Sequence, residues 1–133
     1  MGEPGLGRRQ LLFVFTTTCP FCRATLPVWD RMVDSVRRLA MPVDIVGLSL
    51  DSTALTGDYA RLHALPFPVA VMTEARHRFL FRAGAVPQTV VVGSGGRIRY
   101  ATTGRLSEGA VLDSVYRALL GPADSIELAF RGR

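Results

Sequence analysis

Lysine is absent from this chain of 133 residues: all 16 basic residues are arginine. They are scattered from Arg8 to Arg133, with no run denser than pairs such as Arg8-Arg9 and Arg37-Arg38. A nucleic-acid footprint clusters its basic residues and interleaves them with aromatics. Neither feature occurs, so the net charge of +5 reads as a solvated surface that favours acidic partners and not nucleic acid. Cysteine is nearly as scarce, with two residues, and so is histidine, with His63 and His77. Two cysteines are too few for a structural disulfide framework. A structural zinc site needs four ligands, and the histidines lack paired ligand spacing, so no metal site is expected. No apolar run approaches the ~18–20 residues of a membrane span. The start, Met1 to Gln10, is Gly-rich and polar, unlike a signal peptide. Taken alone, the chain reads as soluble and unexported, although a soluble piece cut from behind an anchor has the same composition. Internal repeats and low-complexity tracts are missing as well.

What is present is apolar matter. Hydrophobic residues make up 48% of the chain, enough to bury a core and to exclude disorder. The length fits one domain over 1–133, with a flexible lead-in at 1–9 and a tail at 122–133. In the tail Ile126, Leu128 and Phe130 recur at period two, which suits a short strand as well as a frayed end.

Leu11 to Phe15 is a short run of apolar, aromatic and branched residues, the pattern of a buried parallel strand. Pro20 fits the first turn of a helix. Leu26, Trp29, Val33, Val36 and Leu39 then recur at helical spacing, with Pro27 as a kink and Met41-Pro42 as the stop. Val43 to Leu50 predicts a second strand. Asp51-Ser52 predicts a cap for a helix over 53–64, and Val69 to Met72 a short strand. A short helix is expected over 74–82, ended by Gly84. Thr89 to Val92 and Arg97 to Thr103 form a hairpin around Gly93-Ser94-Gly95-Gly96. Ser107 and Glu108 open a last helix that runs to Leu120, stopped by Gly121-Pro122. The order β-α-β-α-β-α-β-β-α predicts an α/β fold: a central mixed sheet flanked by helices on both faces.

The chemistry lies in Cys19-Pro20-Phe21-Cys22, at the junction of the first strand and helix. A cysteine acts as a nucleophile through its thiolate. Cys19 sits where the helix begins, and the unpaired N–H groups and dipole there favour negative charge on its sulfur. Cys22 lies one turn inside, near enough to close a disulfide but more shielded. Cys19 is therefore the expected attacker and Cys22 the resolver. The competing reading is two reduced core cysteines, or half a metal site. Pro87, directly before an apolar strand, is a second feature. From Pro87 alone an ordinary trans proline is favoured, because cis bonds are ~5–6% of X–Pro bonds in folded proteins.

Together these motifs resemble the thioredoxin superfamily, and within it the TlpA/ResA-like thiol–disulfide oxidoreductases. The resemblance covers residues 10–120 and rests on Phe13-Val14-Phe15-Thr16-Thr17-Thr18-Cys19-Pro20-Phe21-Cys22-Arg23, Pro27, Ile45 to Asp51, Val86-Pro87-Gln88-Thr89 and Gly96-Arg97-Ile98. Pro87 lies 65 positions after Cys22, a distance that suits a TlpA-like helix-and-strand insertion over 53–72. The resemblance implies that Pro87 is cis and lies against the disulfide, that Val86 offers backbone hydrogen bonds to a bound peptide, and that Pro20 and Phe21 flank the substrate. It implies a dithiol enzyme that needs no cofactor. Such an enzyme exchanges disulfides with protein partners; a reductase and an oxidase use the same residues and differ in potential, and family analogy favours a reductase, as in cytochrome c maturation, that draws electrons from a membrane or soluble donor. It also implies a monomer and an extracytoplasmic setting, as the soluble domain of an anchored protein; a full-length chain would be cytoplasmic. Three departures stand out. Thr18 replaces the tryptophan usual before the first cysteine, and Thr25 replaces a glutamate found in many members. Phe13 occupies the strand position of the buried aspartate of plain thioredoxin. The usual carboxylate beside Cys22 is thus missing.

Two other classes compete. A peroxiredoxin shares the fold and has a threonine three residues before its cysteine, as Thr16 stands here; Leu12 stands where that family has proline. A metal-binding or metallochaperone domain would want Cys-x-x-x-Cys with a well-placed histidine, and the spacing here is wrong.

Overall fold

The computed structural model describes residues 8–72, 86–104, 106 and 109–121. In chain order the elements are β1 (Arg9–Phe15), α1 (Pro20–Arg38), β2 (Val43–Ser49), α2 (Thr53–Leu62), β3 (Val69–Val71), β4 (Gln88–Val92), β5 (Ile98–Thr103) and α3 (Ala110–Leu120). The five strands form one mixed sheet in the order β3-β2-β1-β4-β5. β1, β2 and β3 are parallel, while β4 runs antiparallel to both β1 and β5. This is the thioredoxin fold, and α2 with β3 is the helix-and-strand insertion expected over 53–72.

β1 is the central strand, which explains why Leu11 to Phe15 are all buried: a strand covered on both faces has no polar side. Leu11, Phe13 and Phe15 share one face. There Phe13 stacks on Trp29 of α1 with ring centroids 4.5 Å apart, and Phe67 meets both edge-on at 5.0 and 6.3 Å. Such aromatic contacts add about 0.5–1.5 kcal/mol beyond the area they bury. The indole N–H of the fully buried Trp29 donates to the Thr89 hydroxyl of β4 at 3.0 Å, which ties α1 across the sheet. β2 crosses beneath Phe67 at Gly47, where a Cβ would lie 2.6 Å from the Phe67 ring.

Boundaries moved in several places. The strand begins two residues before Leu11, because Arg9 opens β1 and pairs in register with Val43; Arg8 forms an ion pair with Asp44 at 2.7 Å. α1 runs unbroken through Pro27 to Arg38, with Arg37 and Arg38 suiting its negative end. α2 stops at Leu62. The expected opening of the last helix at Ser107 and Glu108 lies outside the described residues; among those described, α3 runs from Ala110 with Gly109 at its N-cap, φ 128°, where glycine is free of strain, and no side-chain hydrogen bond caps it. Instead, α3 is held at its other end. Arg9 donates to the carbonyls of Ala118, Leu119 and Gly121, and the buried Arg99 donates to Ala118 and Gly121. The helix expected over 74–82 and the tail from 122 lie outside the described residues.

Candidate active site

The site is assembled where β1 ends. After Phe15 the chain turns through Thr16, Thr17 and Thr18 into α1. The turn is clasped from β2: both the backbone N–H and the hydroxyl of Thr17 donate to one oxygen of Asp51, at 2.6 and 2.7 Å. Asp51 is itself placed by its N–H, which donates to Ser49, and Ser49 shares a buried 2.6 Å hydrogen bond with Thr56 of α2. Asp51 and Ser52, read together as a cap, divide the work. Ser52 caps α2 by accepting from the Leu55 N–H, while Asp51 turns back to the cysteine loop.

Cys19 is the N-cap of α1, in extended conformation with φ −93° and ψ 114°. Its sulfur accepts from the Cys22 N–H at 3.1 Å, so one of the helix's orphan donors is aimed at it. Cys19 is half-buried and Cys22 fully buried, and both are free thiols. Burial pushes the Cys22 thiol well above its ordinary range, and its hydrogen bond with Cys19 adds to that shift. The charge of Asp51 acts in the same direction on Cys22. A carboxylate therefore does stand within electrostatic reach of the dithiol, supplied by the end of β2 and not by position 13 or 25.

Pro20 opens α1 and is exposed, as is Phe21, with 61% of its surface accessible. The Val86–Pro87 peptide bond is cis. The Val86 carbonyl oxygen lies 3.9 Å from the Cys19 sulfur, within reach of an S–H donor, and Pro87 is buried at the head of β4. The structure thus brings Cys19, Cys22 and Val86 together, with Pro20 and Phe21 at the exposed lip. Thr25 is fully buried and is a structural joint: its hydroxyl donates to the Phe21 carbonyl at 2.9 Å and accepts from the Leu106 N–H at 3.1 Å. A groove of about 420 Å³ lined by Val33, Val36, Val43, Ile45 and Phe67 contains none of these site residues. Among the described residues, no group of three or more His, Cys, Asp or Glu side chains is placed to hold a metal ion. None of the described helices is long and apolar enough to cross a membrane.

No protein-family model matches the sequence, and no curated protein matches it either. Solved structures do. StoA from Bacillus subtilis superposes with a TM-score of 0.67 at 19% identity, over 78% of this chain and 79% of that one. A secreted Mycobacterium tuberculosis disulfide oxidoreductase homologous to E. coli DsbE gives 0.64 at 16% identity, over 85% and 81%. A thioredoxin-related protein from Neisseria meningitidis serogroup B gives 0.63 at 24% identity, over 83% and 84%. The chain has the thioredoxin fold in the form seen in thiol–disulfide oxidoreductases of this kind.

Proposed function

We propose that the chain is a thiol–disulfide oxidoreductase working as a reductase of protein disulfides, with Cys19 as nucleophile and Cys22 as resolving thiol. One observation carries this reading: the Cys19 sulfur stands at a helix N-terminus with the Cys22 N–H 3.1 Å away, beside the Val86 carbonyl. The attacking sulfur thus lies at the N-terminal end of α1 with a backbone N–H aimed at it. The Cys19 thiolate attacks one sulfur of a substrate disulfide, and the other departs with the electron pair and takes up a proton. Cys22 then loses its proton and attacks the Cys19 sulfur, closing the Cys19–Cys22 disulfide as the second substrate thiol leaves. Two electrons and two protons have passed to the substrate, and a dithiol donor, soluble or in a membrane, restores the reduced form.

Phe21 and Pro20 provide the apolar lip against which an extended polypeptide rests, and the backbone of Val86, next to Pro87, supplies its hydrogen bonds. The Mycobacterium tuberculosis neighbour is described as secreted, which supports an extracytoplasmic setting. The whole chain acts as one monomeric domain, and cysteines of proteins such as apocytochromes are its substrate class. Mild oxidation should remove two hydrogens per chain by mass, and reduced protein should restore thiols to a disulfide-bonded peptide. Cys22→Ser should trap a mixed disulfide with that peptide through Cys19, and Cys19→Ser should trap little. No mass loss on oxidation, or trapping through Cys22 alone, would remove this reading.

A further inference from the structure

Asp51 takes no part in the exchange described above, yet it grips the loop that delivers the nucleophile. Downstream of Cys19 the chain is set: Pro20 fixes its own φ, and α1 runs unbroken to Arg38 with Cys22 on its first turn. Upstream, Phe15 is anchored at the end of β1, where its carbonyl accepts from the Leu50 N–H at 3.1 Å. Thr16, Thr17 and Thr18 span the gap between these two fixed points. Their tie to the end of β2 is one carboxylate oxygen of Asp51, which accepts from both the N–H and the hydroxyl of Thr17, at 2.6 and 2.7 Å. Bonds to an ionised acceptor are short and strong. Asp51 is backed in turn by buried groups: its N–H donates to Ser49, and Ser49 is bonded to Thr56 of α2. A continuous line of hydrogen bonds therefore runs from α2 to the residue two positions before Cys19. Cys19 has ψ 114°. Rotation about that bond swings the incoming loop and the Cβ together, so the place of the loop decides where the Cys19 sulfur points. It now points to the Cys22 N–H at 3.1 Å and the Val86 carbonyl at 3.9 Å.

We propose that Asp51 is a positioning residue of the dithiol centre: its carboxylate, acting through Thr17, holds the loop that presents the Cys19 sulfur to Cys22 for closure of the disulfide. This role rests on the dithiol reading above. In the closing step Cys22 gives up its proton and its sulfur bonds to the Cys19 sulfur. The bond from Cys19 to substrate breaks, and the departing substrate sulfur takes the electron pair and a proton. Asp51 exchanges neither proton nor electron. Its contribution is orientation: a sulfur held in place is attacked faster, and a disulfide whose partners are already placed forms at lower entropic cost. The helix-and-strand insertion gains a purpose by the same geometry, since Thr56 of α2 buttresses the residue that carries Asp51.

The test compares two neutral replacements. Asp51→Asn keeps an oxygen able to accept both Thr17 bonds, whereas Asp51→Ala removes the acceptor. Both lack the charge, so the difference between them reads the clasp alone. Reduced protein is mixed with one equivalent of 5,5′-dithiobis(2-nitrobenzoate). Attack by Cys19 releases one nitrothiobenzoate, and resolution by Cys22 releases the second. The second phase of Asp51→Ala should be about tenfold slower than that of Asp51→Asn. Equilibration in glutathione buffers, read by alkylation and mass, should show the same ordering. Half-oxidation of Asp51→Ala should need a ratio of oxidised glutathione to the square of reduced glutathione about tenfold higher. If Asp51→Ala does not fold, a second pair carries the comparison. Thr17→Ser keeps both bonds and should match the wild type, and Thr17→Val loses the hydroxyl bond and should close about threefold more slowly. Equal second phases and equal closure within either pair would overturn the role of Asp51, while two nitrothiobenzoates from the wild type would leave the dithiol reading intact. Release of a single nitrothiobenzoate by the wild type would remove both.

Discussion

The hydroxyl of Thr25 accepts a hydrogen bond from the backbone N–H of Leu106 at 3.1 Å, joining the second turn of the cysteine helix to the segment that leads into α3. The two residues are 0% and 1% exposed, so water cannot replace the bond if it is broken. The same hydroxyl donates to the Phe21 carbonyl, next to Cys22. At the position where the family resemblance leads to the expectation of a glutamate in many members, this chain has a neutral joint.

Thr25→Glu should therefore act on stability before it acts on redox chemistry. It places an unpaired carboxylate in a sealed site, and burying an uncompensated charge costs roughly 3–5 kcal/mol. Thr25→Val keeps the shape but orphans the Leu106 N–H, for about 1–3 kcal/mol. Thr25→Ser keeps both hydrogen bonds and should lose only about 1 kcal/mol with its methyl group. Urea unfolding of the three variants at neutral pH should rank them Ser, Val, Glu in order of falling midpoint. A Thr25→Glu protein as stable as the wild type would show that this pocket is open to water.

Much of the fold was legible because its signals are local. Leu11 to Phe15 is too short and too apolar to be anything but a buried strand. Pro20 and the spacing of Leu26, Trp29, Val33 and Val36 define α1, and the Gly-rich turn at 93–96 defines the hairpin. The cysteine pair announces itself by spacing. The polar frame around it does not: Thr17 and Asp51 are 34 positions apart, and Tyr59 stacks on Phe15 from a different helix. Asp51 beside Ser52 looks like a helix cap, and nothing in the pattern says that one caps α2 while the other holds the cysteine loop. Tyr59 reads as one more apolar residue of an amphipathic helix. Its ring meets Phe15 only when α2 is packed against the end of β1. Val86 and Pro87 came into the site through family resemblance, since a proline before a strand is commonplace.

The reduced protein should lose stability at alkaline pH through Cys22. Burial, then the hydrogen bond with Cys19, raises this thiol above its unfolded value. A raised acid contributes stability that is fully present below the unfolded pKa, about 8.5 for cysteine. Above that pH the unfolded chain releases a proton that the folded chain retains, so stability falls until the folded pKa is passed. The slope is at most about 1.4 kcal/mol per pH unit for one proton. Tyr59, raised by its own burial, adds a second decline above about pH 10. Urea midpoints of the protein kept reduced, measured from pH 7 to 10, should fall more steeply than those of Cys22→Ala. Parallel curves would mean that Cys22 ionises as freely in the folded protein as in the unfolded chain.

Two helix ends leave room for improvement. α1 and α2 both finish in a left-handed residue that is alanine and not glycine: Ala40 at φ 50° and Ala64 at φ 49°. Each closes the same pair of hydrogen bonds. The Ala40 N–H donates to Arg37 and the Met41 N–H to Val36, while the Ala64 N–H donates to Arg61 and the Leu65 N–H to Ala60. This is the Schellman arrangement, in which the left-handed position is usually glycine because a Cβ crowds the backbone there. The strain of alanine in that conformation is about 1–2 kcal/mol, partly offset because glycine makes the unfolded chain more flexible, by about 0.4–1 kcal/mol. Both alanines are exposed, so no packing is lost on substitution. Ala40→Gly and Ala64→Gly should each stabilise the protein by roughly 0.5–1 kcal/mol, and the two effects should add, because they lie on different helices. The gain should appear as a rise in the urea midpoint with unchanged slope, and the rate of thiol–disulfide exchange should stay the same. If either change lowers the midpoint, the left-handed helix end at that position is not the conformation the chain adopts.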